Sequence, residues 1–188
     1  MTSKLVLLKP SAEYLPFYAD ALERGWSPDN VRDEARLEQL DEIRADPAAF
    51  LRAQDDPQAT SGPIRLPDGS LVQRLPGFHR WLWDGEFCGS IGFRWKPGTP
   101  ELPPTCLGHV GYAVVPWKRG RGYATAALRM LLPEAQRTGL RYVEITTNRD
   151  NVASQRVVVA NGGVLVERFA YPSQYGAGEA HRYRIALR

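Results

Sequence analysis

Between Gly111 and Arg129 the chain reads GYAVVPWKRGRGYATAALR, and this order of residues limits the possible folds more than any other stretch. Val114 and Val115 are β-branched and suit a strand, and Pro116, with no N–H to donate, ends the pairing. Arg119, Gly120, Arg121 and Gly122 follow, and glycines at alternate positions let the backbone take positive φ and turn successive N–H groups toward one point. From Ala124 the apolar residues Ala124, Ala127, Leu128, Leu131, Leu132 and Ala135 recur at helical spacing, which predicts a helix with one buried face packed on a sheet. Its N-terminus, with about half a positive charge and unsatisfied N–H groups, points at the glycine loop and favours an anion there. Lys118 and the two arginines are expected to add charge.

A Walker loop is excluded, because no GxxxxGK[ST] string occurs in the chain. A dinucleotide fingerprint fits poorly. Gly120 and Gly122 supply GxG, but Thr125 stands at the third glycine position and PWKR separates strand from glycines. The carboxylate that would hold a ribose, Glu144, falls in the middle of the strand-like RYVEITT.

The string from Arg119 to Ala124, RGRGYA, has the form RxxGxA. With GHVGYAVV before it and Asn151, Ser154 and the NGG at 161–163 after it, the chain resembles the GNAT superfamily of N-acetyltransferases, in the branch similar to ribosomal-protein N-acetyltransferases. The resemblance is clear over about 79–188. It implies an α/β fold with a single GNAT-like domain over 1–188, in which a mixed, mostly antiparallel central sheet is flanked by helices. It also implies acetyl-CoA as cosubstrate, no metal, and direct acetyl transfer in a ternary complex to an amine, carried by a small molecule or a protein N-terminus. A homodimer stays open, and a non-catalytic acyl-CoA-binding module is the alternative reading.

The rest of the chain is consistent with this outline. Lys4–Lys9 reads as a strand ended by Pro10. Ser11 is placed to cap a helix carrying Tyr14, Phe17, Tyr18, Ala21 and Leu22, which Gly25 stops. A second helical region runs over 29–46. Prolines and glycines crowd 47–78, predicting a loop or lid with only a short Pro-Asp-Gly turn. His79–Trp83 and Phe87–Trp95 flank Asp84-Gly85 as a hairpin, with Phe87, Gly89, Ile91 and Phe93 expected on one face. Proline-rich 96–105 leads to a strand from His109 to Val115. Pro133 is expected to kink or shorten the long helix, with Gly139 as its stop. Strands follow at Arg141–Thr147, Val164–Phe169 and His181–Leu187, and a short helix capped by Asp150 or Asn151 lies between the first two.

The 24 basic and 21 acidic residues give a net charge of +3 without runs of like charge, so no nucleic-acid arm is indicated. MTSKLVLLKP is too short an apolar run for a signal or membrane span, and a cytoplasmic protein without membrane association is expected. Cys88 and Cys106, with widely separated His79, His109 and His181, give no metal-ligand spacing.

Acyl transfer to an amine needs a coenzyme grip, a polarised carbonyl, a route for the amine proton and a proton for the departing thiolate. The grip is assigned to Arg119, Gly120, Arg121, Gly122, Tyr123, Ala124 and Thr125. The resemblance adds backbone pairing by Ala113 and Val114 and a contact from Asn151, and it sets Ser154 near the sulfur. Asn151 and Ser154 also suit helix capping. The tyrosine acid common in relatives is replaced by Val158, which leaves Ser154, a water or Tyr175. His109 is the candidate base, since imidazole titrates near neutrality. Glu86 and Glu144 are weaker candidates.

Overall fold

The computed structural model describes residues 4–187; the reading of the first ten residues therefore lies partly outside them. Strand β1 (Val6–Leu8) is shorter than expected. Helix α1 (Leu15–Glu23) follows, and Ser11 is not its cap: the Ser11 carbonyl instead accepts the Tyr14 and Leu15 N–H groups in a preceding turn. At the far end Gly25, at φ +90°, lets Trp26 N–H reach the Ala21 carbonyl and its own N–H reach Leu22, a Schellman ending.

The second helical region is shorter than expected, as α2 (Ala35–Ala45), and a further helix, α3 (Pro47–Gln54), follows it. The start of α3 corrects the expectation of a structureless 47–78. Asp46 accepts the Ala49 N–H and Pro47 occupies the first helical turn, so the proline begins a helix instead of preventing one. The same segment adds β2 (Asp55–Asp56) and a two-stranded ribbon of β3 (Ile64–Arg65) and β4 (Leu71–Val72).

The main sheet runs in the order β1, β5 (Gly77–Trp83), β6 (Phe87–Arg94), β7 (Val110–Val114), all antiparallel, with β2 also on β5. The expected alternation along β6 breaks at Gly89. There the register with β5 shifts, and the glycine sits at φ +143° because a Cβ would lie 2.2 Å from the Ala113 carbonyl oxygen. This bulge sends Phe87 into an aromatic core with Tyr18, Trp26 and Trp81, and Cys88, Ile91 and Phe93 into an aliphatic core on the opposite face.

The aliphatic core is covered by α4 (Tyr123–Gln136), whose Ala127, Leu128, Leu131 and Ala135 are fully buried. Pro133 does not end this helix, which continues to Gln136. Beyond it, β8 (Tyr142–Asn148), β10 (Glu179–Ala186) and β9 (Val164–Ala170) form a second antiparallel sheet in that order, with α5 (Val152–Val159) between β8 and β9. Val143, Ile145 and Thr147 are buried as expected. A bulge at Arg182/Tyr183 breaks the alternation expected on β10, and Ala180, Tyr183 and Ile185 are the buried residues there.

Candidate active site

The two sheets meet where β7 and β8 touch at one end only. His109 donates its N–H to the Glu144 carbonyl (2.8 Å), and its Nδ1 accepts the Glu144 N–H (2.9 Å). Gly108 permits this approach, since a Cβ there would lie 3.0 Å from the Glu144 oxygen. Past this junction the strands share no ladder, and a cleft opens between them.

Ladder alternation fixes which groups face the cleft. Val115 N–H reaches the Cys88 carbonyl and Arg94 N–H reaches the His109 carbonyl, so the carbonyl of 109 and the backbones of 111, 113 and 115 point at β6. Ala113 is therefore committed to the β6 ladder, and the cleft edge is formed by Tyr112 and Val114. Their carbonyls accept side-chain bonds, Tyr112 from Asn30 Nδ2 (3.0 Å) and Val114 from Arg119 Nε (3.2 Å).

At the mouth of the cleft Pro116–Lys118 form a 3-10 turn, and Gly120 and Gly122 both lie at φ +75°. The first bond of α4 runs from Ala126 N–H to the Gly122 carbonyl. Among the described residues nothing accepts a bond from the N–H groups of Gly120, Arg121, Gly122, Tyr123, Ala124 and Thr125. An uninterrupted row of free amides at a helix N-terminus is a cradle for an oxyanion such as a diphosphate. Asn161 of the NGG string holds the cradle to α5, donating to the Thr125 and Val157 carbonyls.

Lys118 does not add its charge to that cradle. It is buried, with Nζ 2.8 and 3.0 Å from the Asp84 carboxylate oxygens and 2.8 Å from Glu86. Tyr123 donates its hydroxyl to Asp84 as well (2.5 Å). Burial alone would push the Asp84 carboxyl up, but the bonds from Lys118 and Tyr123 bring it to about 2. The β5–β6 turn and the first turn of α4 are thus clasped together, leaving Arg119 and Arg121 as the exposed cations of the loop.

Inside the cleft, Ser154 and Tyr112 face each other, Oγ to hydroxyl at 2.8 Å. Burial pushes the Tyr112 phenol up to about 12, so it is protonated at neutral pH and able to donate. Sequence reasoning overlooked Tyr112; the GYAVV strand marked it as backbone, and only the folded chain brings it to α5. Asn151 caps α5, its Oδ1 accepting the Ser154 N–H (3.0 Å), and the residue is exposed. Val158, at the position of the missing tyrosine, is a fully buried core residue. Tyr175 donates to the Thr105 carbonyl (2.6 Å), joining two loops.

The expectation of His109 as base is corrected. Its side chain is fully buried, Nδ1 is occupied by Glu144 N–H, and the proton on Nε2 leaves no lone pair to accept another. Burial pulls its pKa down to about 4, with the Arg94 charge assisting against a partly offsetting Glu144. Glu144 bonds to Arg184 and Glu86 to Lys118, so neither carboxylate is free for the reaction. His79 is also held near 4, by burial and then by Arg94. An unfolded chain, with both histidines near 6.5, takes up protons that the native state refuses. The melting temperature should therefore fall as pH drops from about 6.5 to about 4, and His109→Gln should flatten part of that slope; a slope equal to wild type would remove His109 from the linkage.

Among the described residues no group of three or more His, Cys, Asp or Glu could hold a metal ion, and no helix is long and apolar enough to cross a membrane. Both cysteines are free thiols.

A family model described as an acetyltransferase (GNAT) domain matches residues 30–164. The chain belongs to the GNAT acetyltransferase family. No curated protein matches the sequence. Among solved structures, the ribosomal α-N-protein acetyltransferase RimL in complex with coenzyme A is similar with a TM-score of 0.67 at 14% identity, covering 100% of this chain and 96% of that one. The microcin self-immunity acetyltransferase MccE, in complex with acetyl-CoA and AMP, gives 0.65 at 12% identity, covering 98% and 93%. At these identities the likeness concerns the GNAT fold, a mixed α/β arrangement of antiparallel sheets flanked by helices.

Proposed function

We propose that this GNAT enzyme transfers the acetyl group of acetyl-CoA directly to a primary amine, with both substrates bound and no acyl-enzyme. The observation that carries the reading is the row of unpaired amides from Gly120 to Thr125, beside a strand edge with no ladder partner. Acetyl-CoA supplies an activated thioester on a long amide-bearing arm. The amides of Gly120 to Thr125, with Arg119 and Arg121, hold its diphosphate. Tyr112 and Val114 pair their backbones with the arm, and one of these N–H groups polarises the thioester carbonyl. Asn151 lines the arm from the start of α5.

The amine nitrogen bonds to the carbonyl carbon, the C–S bond breaks, and the Tyr112 hydroxyl delivers a proton to the departing sulfur. Ser154 orients that hydroxyl. No side chain acts as base: the amine enters as its free base, the N–H proton it sheds on becoming an amide passes to water, and solvent returns a proton to the Tyr112 phenolate, so the rate rises with the amine's own titration and His109→Gln leaves that limb in place.

The reading is tested by turnover of acetyl-CoA against pooled amines, followed by Tyr112→Phe and Ser154→Ala. Tyr112→Phe should lower kcat by about a hundredfold, the usual scale for loss of a general acid, while the Kd for acetyl-CoA changes little. Ser154→Ala should lower kcat by a smaller factor. Unchanged kcat in Tyr112→Phe would take the phenol out of the mechanism.

A further inference from the structure

Alternate residues of β7 face opposite sides of the sheet, so Gly111 and Ala113 turn away from the Tyr112–Ser154 side and toward the helices α1 to α3. There the floor is almost bare. Gly92 pairs with Gly111 across β6 and β7, and a side chain on Gly92 would collide with the His79 ring, 2.7 Å from a Cβ. Arg94 reaches over this floor, with Nη2 only 3.1 Å from where a Gly111 Cβ would lie. The guanidinium is half-buried, yet among the described residues no carboxylate or carbonyl lies within bonding distance of it.

Its surroundings offer it no compensation. His79 on β5 and His109 before β7 are neutral, and both feel Arg94 as a repelling charge. Tyr175, from the loop opposite, is a phenol within reach of its field and of Asp29 and Asp68, whose carboxylates are already engaged by the Val31, Arg32 and Ser70 N–H groups. Arg74, on the chain leaving β4, adds a second positive charge near His79. The carboxylate that shares the small cavity with Arg94, Asp56, is already engaged: it accepts from Thr60 N–H (3.0 Å) and Ser61 N–H (2.8 Å) and faces Arg74 at 3.9 Å. Partial burial of a cation without an anion is costly, and the cost is recovered when an anion arrives.

We propose that Arg94 is the acceptor-recognition residue of this enzyme, and that the acceptor amine carries a carboxylate which Arg94 binds over the Gly92–Gly111 floor. The inference rests on the acetyltransferase reading above. The cavity beneath the 57–76 segment is about 70 Å³. A water's share of the liquid is about 30 Å³, so a carboxylate fits there and a nucleotide does not. Gly111 adjoins Tyr112, which puts the bound carboxylate next to the reacting end of the cleft, on the face opposite the proton donor.

The test compares kcat/KM of the whole chain for free amino acids with that for the same molecules as primary amides, with calorimetry of acetyl-CoA in every variant. Wild type should favour at least one carboxylate by about tenfold or more over its amide, the worth of a charged hydrogen bond. Arg94→Met should erase that ratio while acetyl-CoA affinity stays within about twofold, and Arg94→Lys should keep part of it. Gly111→Ala, which displaces the guanidinium without removing it, should also reduce the ratio and guards against an Arg94→Met chain that fails to fold. A greater preference for peptides with an N-terminal acidic residue than for free amino acids would assign the carboxylate to a protein acceptor; the reverse would assign it to a small molecule, and either supports the proposal. Preference for amides or polyamines, or a preference retained in Arg94→Met, would overturn it. So would the absence of carboxylate turnover together with no Arg94-dependent thermal shift by sodium succinate in the acetyl-CoA complex. If wild type does not bind acetyl-CoA at all, the coenzyme reading fails and this inference fails with it.

Discussion

Gly122→Val is expected to reduce acetyl-CoA affinity by about a hundredfold or more, close to 3 kcal/mol, while the chain stays folded. Nothing lies within 4 Å of a Cβ built on Gly122, so the effect does not come from a clash. It comes from the backbone, which holds φ +75° as the cap of α4. A β-branched L-residue disfavours that region by more than the 1–2 kcal/mol typical of other side chains. Rotating this one residue to negative φ redirects its N–H and those beside it, and the row from Gly120 to Thr125 no longer converges. The position is exposed, so the melting temperature should fall by only a few degrees. Full affinity by calorimetry in a folded Gly122→Val chain would refute the loop assignment.

The second large effect is expected at the clasp behind the loop. Lys118→Met leaves Asp84, whose side chain is only 9% exposed, without its cation. Removing one partner of a buried pair costs about 3 kcal/mol, which for a chain of this length lowers the melting temperature by about 6–12 °C. Glu86 contributes little, since its side chain is 75% exposed. The double variant Lys118→Met/Asp84→Leu should regain most of the loss, because it leaves no orphaned charge. If the double variant is no more stable than the single one, the cost lies in packing and not in the unpaired carboxylate.

The glycine loop, its helix and the cap at Asn151 were legible in the sequence because each is decided within a few residues by glycine, proline and capping chemistry. Helix α3 was legible too, but the prolines around it were counted as breakers, although Asp46-Pro47 is a helix start. The roles of His109 and Lys118 could not be read locally. One is sealed by Glu144, the other by Asp84, each more than thirty positions away. Tyr112 and Arg94 were hidden for the same reason: a strand residue shows its period in the sequence, but not what waits across the sheet. The face change along β6 depends on the Ala113 carbonyl pressing on Gly89, a contact that the spacing of apolar residues does not encode.

The extra residue of the bulge, Cys88 beside Gly89, also sets the phase of everything before it. Were the same residues to alternate regularly, Phe87 would turn over to the aliphatic side, and the hairpin tip from Asp84 to Glu86 would turn over with it, away from Lys118 and Tyr123. The phase of this one strand is therefore felt by a loop about thirty positions downstream that it does not touch.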